Sequence, residues 1–268
     1  MAKTIVITGA SSGIGAGVAE RLGAEGHSLA LAARRRDALE RVADEALQRG
    51  APRAIVVETD VTKRRDVERL RDAAVSAFGD FDVWINNAGR GITRQTLDLT
   101  DEDFDSIMAV NVKSALYGMQ VAVQHFIERG GRGHVINVSS FLGRVPMATH
   151  RSAYNAAKAA LNSLSSNLRM DLRTTYPDIH VTVVMPGMVG TYFGRNALHS
   201  PPDMPAYSGP HVQQVDEVAA IISDVIAHPV AEVYTNPASA ALAERYYADV
   251  GAFEAQGLRW GSGQPSSR

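Results

Sequence analysis

A chain of 268 residues is long enough to bury the core of one large α/β domain. Its 45% hydrophobic and 21% charged residues are the balance of a globular protein in water, and a formal net charge of -2 points away from nucleic acid or an anionic membrane as the partner. The absence of cysteine excludes disulfides, thiolate metal sites and cysteine nucleophiles. In chain order, TIVIT (4–8) predicts a first strand, too short for a signal-peptide core or a membrane span. A soluble, cytoplasmic protein is expected. Helical patterns at 14–25, 36–49, 63–78, 101–128, 152–175 and 216–227 then alternate with further strand runs. These runs are SLALAA (28–33), AIVVET (54–59), DVWIN (82–86), HVINVS (134–139), HVTVVM (180–185) and AEVYTN (231–236). They are continuously apolar, as parallel strands covered on both faces require. Thr100 and Asp103 predict a capping box at the start of the fourth helix.

The alternation predicts a single-domain, Rossmann-like, doubly wound parallel sheet of about seven strands with helices on both faces, over residues 1–237. The Pro-, Gly-, Met-, Tyr- and His-rich stretch at about 188–215 reads as a substrate lid. Residues 238–268 read as a C-terminal helical extension, with ASAALAERYYADV (238–250) as the helix and a flexible tail after it.

In such sheets ligands bind beyond the carboxyl ends of the strands. The first strand runs into TGASSGIG, whose Gly9, Ser11, Ser12, Gly13, Ile14 and Gly15 offer a tight turn and a helix N-terminus to a pyrophosphate. The second strand ends in Ala33, followed by Arg34, Arg35 and Arg36. An acid there would bind ribose hydroxyls, whereas arginine accommodates a 2′-phosphate. Three cations at a helix N-terminus are unfavourable without an anion nearby. NADP(H) is therefore the preferred cofactor, with NAD(H) the alternative, and Asp37 reads as a cap or first-turn residue. In YNAAK, Tyr154 and Lys158 stand one turn apart on a helix face. The lysine charge favours the phenolate, while burial opposes it.

With TGASSGIG, NNAG (86–89), Asn111, Ser140 and YNAAK in this order, the chain resembles the classical short-chain dehydrogenases/reductases over roughly residues 3–236. The resemblance implies that Asp60, with Val61 beside it, meets the adenine, and that the backbone of Asn87, Ala88 and Gly89 passes along the cofactor. It implies that Asn111 holds a water leading to Lys158, which binds the nicotinamide ribose. Pro186, Gly187, Val189 and Thr191 would hold the carboxamide. Ser140 would polarise a carbonyl and Tyr154 would act as acid and base. From the residues alone, Asp60 reads equally as a loop cap, and Ser139 is the lesser of two serine candidates. The Ser140–Tyr154 spacing is one residue longer than the commonest family spacing, and the extra residue falls in the loop Val145 to Arg151.

Substrate-facing candidates are Phe141, His150 and Tyr192, together with Arg90 to Thr93 and the lid residues Met188, Phe193, Met204 and Tyr207. Their character suggests a moderately apolar carbonyl or alcohol. The eight histidines are scattered without a ligand motif, so no metal is expected. The resemblance also implies a homodimer or homotetramer through the long fourth and fifth helices. Two other readings are an epimerase or dehydratase, for which the longer substrate domain is missing, and a non-catalytic dinucleotide-binding sensor. The retained set Asn111, Ser140, Tyr154 and Lys158 argues for catalysis.

Overall fold

Ile5, Val6 and Ile7 are all inaccessible to solvent, so the first strand, β1 (Thr4–Thr8), is covered on both faces. A computed structural model describes residues 2–201, 203 and 212–256. Successive strand residues point to opposite faces, and β1 accordingly feeds two cores. Ile5 and Ile7 join Leu29, Leu31, Val83 and Ile85 on one side, while Val6 joins Ala30, Trp84, Val135 and Val181 on the other.

The remaining strands are β2 (Ser28–Ala33), β3 (Ala54–Glu58), β4 (Val83–Asn86), β5 (Gly133–Val138), β6 (Ile179–Met185) and β7 (Glu232–Tyr234). They form one parallel sheet in the order β3-β2-β1-β4-β5-β6-β7. Helices α1 (Gly13–Ala24), α2 (Arg36–Arg49) and α7 (Val215–Ala227) cover the face of Ile5. The opposite face carries α3 (Arg64–Phe78), α5 (Ser114–Glu128) and α6 (Ser152–Leu172). The Rossmann-like sheet expected from the sequence is the sheet observed. Strand order reverses between β1 and β4, and such a reversal opens a crevice where the two outgoing loops part.

Three local features differ from expectation. The helix predicted over 101–128 is divided into α4 (Asp101–Met108) and α5 by a π-helical turn, Ala109–Lys113. Such an inserted residue leaves the apolar periodicity almost intact, so the pattern does not reveal it. The capping box forms only in half: Thr100 Oγ1 accepts from the Asp103 amide at 3.2 Å, but the Asp103 carboxylate meets His199 at 2.6 Å. The C-terminal helix is two helices, α8 (Ala238–Ala248) and α9 (Val250–Ala255), divided at Asp249, whose carboxylate caps the Ala252 amide at 2.9 Å.

The base of the lid is tied down at both ends. Gly190 donates to Gln213 O, and the Gln213 amide donates to Met188 O, each at 2.9 Å. Leu198 donates to Gly91 O at 2.9 Å and accepts from Thr93 at 2.8 Å. Met204, Tyr207 and the tail beyond 256 lie outside the described residues.

Candidate active site

Thr8 closes β1 and stitches the two loops that part at the strand-order reversal. Its hydroxyl donates to Ile85 O at 3.2 Å and accepts from the amides of Asn87 (3.1 Å) and Ala88 (3.2 Å). Asn87 Nδ2 returns bonds to Thr8 O and Gly9 O at 3.0 and 3.2 Å. Gly9 holds φ +68°, and a Cβ there would stand 2.8 Å from Ala88 Cα. Only glycine serves at such a position. The turn ends where α1 begins, at Gly13, with no side chain capping its first amides. Those amides are unpaired donors at the positive end of a helix dipole.

A cleft of about 1410 Å³ starts at this turn and runs across the sheet edge. Its near end is lined by Gly9, Ser11, Ser12, Gly13 and Ile14 on one side and by Asn87, Ala88 and Gly89 on the other. Gly15 does not line it. That residue is buried behind the turn, where a side chain would strike Gly9 O. Arg34 and Arg35, both exposed, border the cleft at the end of β2, opposite Asp60 and Val61. Burial alone would raise the Asp60 carboxyl, but the Thr62 hydroxyl and amide, Lys63 and Arg34 together hold it below its ordinary range.

At the far end the cleft reaches Ser139, Ser140, Tyr154 and Lys158, with Pro186, Gly187, Val189 and Thr191 along its wall. Ser139 Oγ donates to Lys158 O at 3.3 Å. Ser140 Oγ accepts from the Leu142 amide at 3.2 Å, which leaves its proton for another acceptor. Tyr154 and Lys158 sit one turn apart in α6, 7% and 3% exposed. The Tyr154 ring packs against Phe193, with centroids 5.3 Å apart, and Lys158 Nζ stands 5.7 Å from the Tyr154 ring centroid. Lys158 Nζ donates to Val138 O at 2.8 Å. Burial pushes its ammonium down to about 7, because the charged form is desolvated.

Asn111 lies in the π-helical turn, buried beside this end rather than in the cleft wall. Its Nδ2 donates to Arg90 O and Ile107 O, both at 2.9 Å, and its Oδ1 accepts from the Arg90 amide at 3.2 Å. A methyl group on Gly89 would stand 2.8 Å from Asn111 Oδ1 and 3.6 Å from Lys158 Nζ, so NNAG, asparagine and lysine meet at one point.

Of the substrate candidates, His150 lines the cleft and Tyr192, 60% exposed, stands at its mouth. Phe141 differs from expectation. The short turn Phe141–Gly143 aims it backwards, where it is 1% exposed in a cluster with Val145, Ala243 and Phe253 and edge-on to Tyr234. In the longer loop, Val145 joins that cluster while Ala148, His150 and Arg151 face the cleft. Arg90, expected among the substrate-facing residues, lines the cleft, whereas Arg151, which also lines it, and the stitching role of Thr8 were passed over by motif reading. Their contacts join segments far apart in the chain, and short-range spacing carries no signal of them.

A family model described as short chain dehydrogenase matches residues 3–201. The uncharacterized oxidoreductase YxnA of Bacillus subtilis is 34% identical over 241 residues, 90% of this chain and 67% of that protein. Among solved structures, a short chain dehydrogenase/reductase from Burkholderia phymatum in complex with NAD superposes with a TM-score of 0.83 at 27% identity, over 100% of this chain and 97% of that one. An alcohol dehydrogenase from the archaeon Thermococcus sibiricus, complexed with 5-hydroxy-NADP, gives 0.75 at 28% identity, over 87% and 96% of the two chains. By sequence and by fold alike, the chain belongs to the short-chain dehydrogenase family of oxidoreductases.

Proposed function

We propose that the protein is an NADP(H)-dependent oxidoreductase that transfers a hydride between the nicotinamide and a carbonyl or alcohol substrate, with Tyr154 as general acid and base. The observation that carries this reading is the pairing of Tyr154 with Lys158, both buried on one face of α6, at the end of a cleft that begins at a glycine-rich turn. The residues present suit a dinucleotide. Thr8 and Asn87 hold the turn open, the first amides of α1 are uncapped, and Arg34 and Arg35 border the cleft beyond a strand that ends in alanine. Arginine in place of an acid is the argument for a 2′-phosphate. NAD(H) is the second reading, favoured by the NAD complex of the Burkholderia phymatum neighbour.

When bound, the reduced nicotinamide supplies a hydride to the carbonyl carbon. The rest falls to the side chains. Ser140, whose oxygen is already engaged by the Leu142 amide, turns its proton to the carbonyl oxygen. Tyr154 is the second donor, and its proton completes the alcohol. Lys158, held by Val138 O, stands beside the phenol ring and favours its ionised form whenever the ammonium is charged. Asn111 fixes the Arg90 backbone beside the lysine.

The test is a spectrophotometric panel of ketones, aldehydes and alcohols with NADPH and NADH, on the full chain and on Tyr154→Phe. The phenol-free variant should bind NADPH as before and lose at least about a thousandfold in turnover, within the scale of general acid catalysis. Undiminished reduction by Tyr154→Phe refutes the assigned role.

A further inference from the structure

Beside the cleft lies a groove of about 540 Å³, lined by Thr93, Arg94, Gln95, Asp98, His150 and His199. His150 lines both, so the groove adjoins the Tyr154 end of the cleft. The two surfaces differ in character. In the cleft the lid lays the Phe193 ring against Tyr154, and a Cβ on Gly91 would stand 3.0 Å from that ring, so this flank is apolar and filled. Among the described residues the lining of the groove is polar throughout. An alkyl chain placed there would bury little apolar surface and gain little.

The walls of the groove are held from behind. Asp103, on α4 and 8% exposed, meets His199 Nε2 at 2.6 Å and Arg94 Nε at 3.5 Å. The His199 bond holds the Asp103 carboxyl below its ordinary range, so the buried group is a carboxylate. It fixes two side chains from separate segments, and a site gains its precision from such supports. His199 takes φ +57° to reach it, which is uncommon outside glycine. Backbone bonds set the next wall: the Arg94 amide donates to His150 O at 2.8 Å, and Ser152 Oγ donates to Arg94 O at 2.9 Å. Thr93 Oγ1 is engaged by Ser200 Oγ at 2.9 Å and by Arg151 Nη1 at 3.2 Å.

Charge then decides the class of ligand. Arg94 and His199 both face the Asp103 carboxylate, and Asp98, exposed in the groove, opposes an anion. Burial first, and then Arg151, lower the His150 imidazole below its ordinary range, so it is neutral at pH 7. The groups turned to a ligand are the Gln95 amide, the Asp98 carboxylate, the His150 imidazole and His199 Nδ1. Together they offer donors and acceptors without a net charge, and hydroxyl groups, which both donate and accept, complement them.

We propose that this groove is an outer subsite for the distal part of the substrate, and that this part is an uncharged, polyhydroxylated chain of the sugar or polyol kind. The inference rests on the oxidoreductase reading above and narrows it to hydroxylated carbonyls and the corresponding alcohols.

The experiment compares methyl ketones of one chain length with NADPH: 1-deoxyxylulose, pentan-2-one and 4-oxopentanoate. For the wild-type chain, kcat/KM for the hydroxylated ketone should exceed that for pentan-2-one by at least about tenfold, the worth of one or two net hydrogen bonds. The double variant Gln95→Leu, Asp98→Leu should lower that ratio by about tenfold. Both residues are exposed, so the fold tolerates the change, and NADPH binding reports that it has done so. A second readout needs no turnover. On the NADP-loaded chain, xylitol should move the imidazole proton resonances of His150 and His199 and leave those of the buried His134 in place, and pentan-1-ol should move none of them. A wild-type preference for pentan-2-one or 4-oxopentanoate overturns the proposal while the carbonyl reading stands. Loss of both ketones by the same factor in the double variant overturns it too. If xylitol moves neither His150 nor His199, the proposal falls whatever the turnover. If xylitol moves both and no ketone is reduced, the groove binds polyols and the carbonyl reading is what fails.

Discussion

Replacing Lys158 by methionine isolates the cost of burying an ammonium at the heart of the site. Lys158 is 3% exposed, and its pKa falls from 10.5 to about 7 through burial. That fall corresponds to about 5 kcal/mol against the charged form. The folded pKa lies below the unfolded one, so between pH 7 and 10.5 the unfolded chain binds more protons. Wild-type stability therefore rises with pH across that window and is flat below it. Lys158→Met removes this dependence. It also leaves Val138 O without the donor now at 2.8 Å, an offset of about 1–3 kcal/mol that does not vary with pH. The readout is consequently the slope of the difference. Urea unfolding followed by the fluorescence of the fully buried Trp84, from pH 6 to 10.5, should show the variant gaining about 5 kcal/mol relative to wild type as pH falls through the window. Other groups titrate alike in both proteins and cancel. A difference that is constant with pH, or that grows in the opposite direction, refutes the argument. A lysine poised near pH 7 is also one whose charge responds to small changes around it, such as an anion or an oxidised ring arriving in the cleft.

Three further outcomes are expected. Arg34→Ala should weaken NADPH by about ten- to hundredfold, as for a lost hydrogen bond between charged groups, and leave NADH nearly unaffected by fluorescence titration. Equal losses would remove the 2′-phosphate argument. Gly9→Ala places a methyl 2.8 Å from Ala88 Cα at φ +68°, and should cost about 3 kcal/mol in thermal unfolding and abolish dinucleotide binding. Phe253→Ala, which empties a cluster shared with Phe141 and Val145, should speed amide hydrogen exchange at Gly143 and Val145 as well as in α9. Unchanged exchange at Gly143 would mean that the C-terminal helices do not brace the Ser140 loop.

Much of the fold was legible because parallel strands covered on both faces leave uninterrupted apolar runs. TIVIT and SLALAA mark β1 and β2 to the residue. Three motifs were legible for a related reason, since TGASSGIG, NNAG and the Ser139-Ser140 pair sit where β1, β4 and β5 end and their residue types serve a local need. Illegible features depend on direction or on distance in the chain. Phe141 follows Ser140 immediately, yet a single tight turn sends it into the α8–α9 cluster, and nothing in VSSFLG encodes that turn. Asp103 fits a capping box, but His199, 96 residues away, takes its carboxylate. The break at Asp249 was readable in principle, because an aspartate ahead of VGAFEA is a helix-cap signal inside a run that otherwise reads as one helix.

The π-helical turn at Ala109–Lys113 has a consequence for how this region tolerates change. A single uninterrupted α-helix would lock the azimuths of its two halves together at about 100° per residue. The extra residue releases that lock, so α4 meets α6 in one rotational phase while α5 meets β4 and β5 in another. Asn111 lies in the phase joint, where its side chain takes over Ile107 O, a carbonyl near the joint. Each half can therefore be repacked against its own neighbours without turning the other, and the asparagine beside the lysine is carried by the joint rather than by either rod.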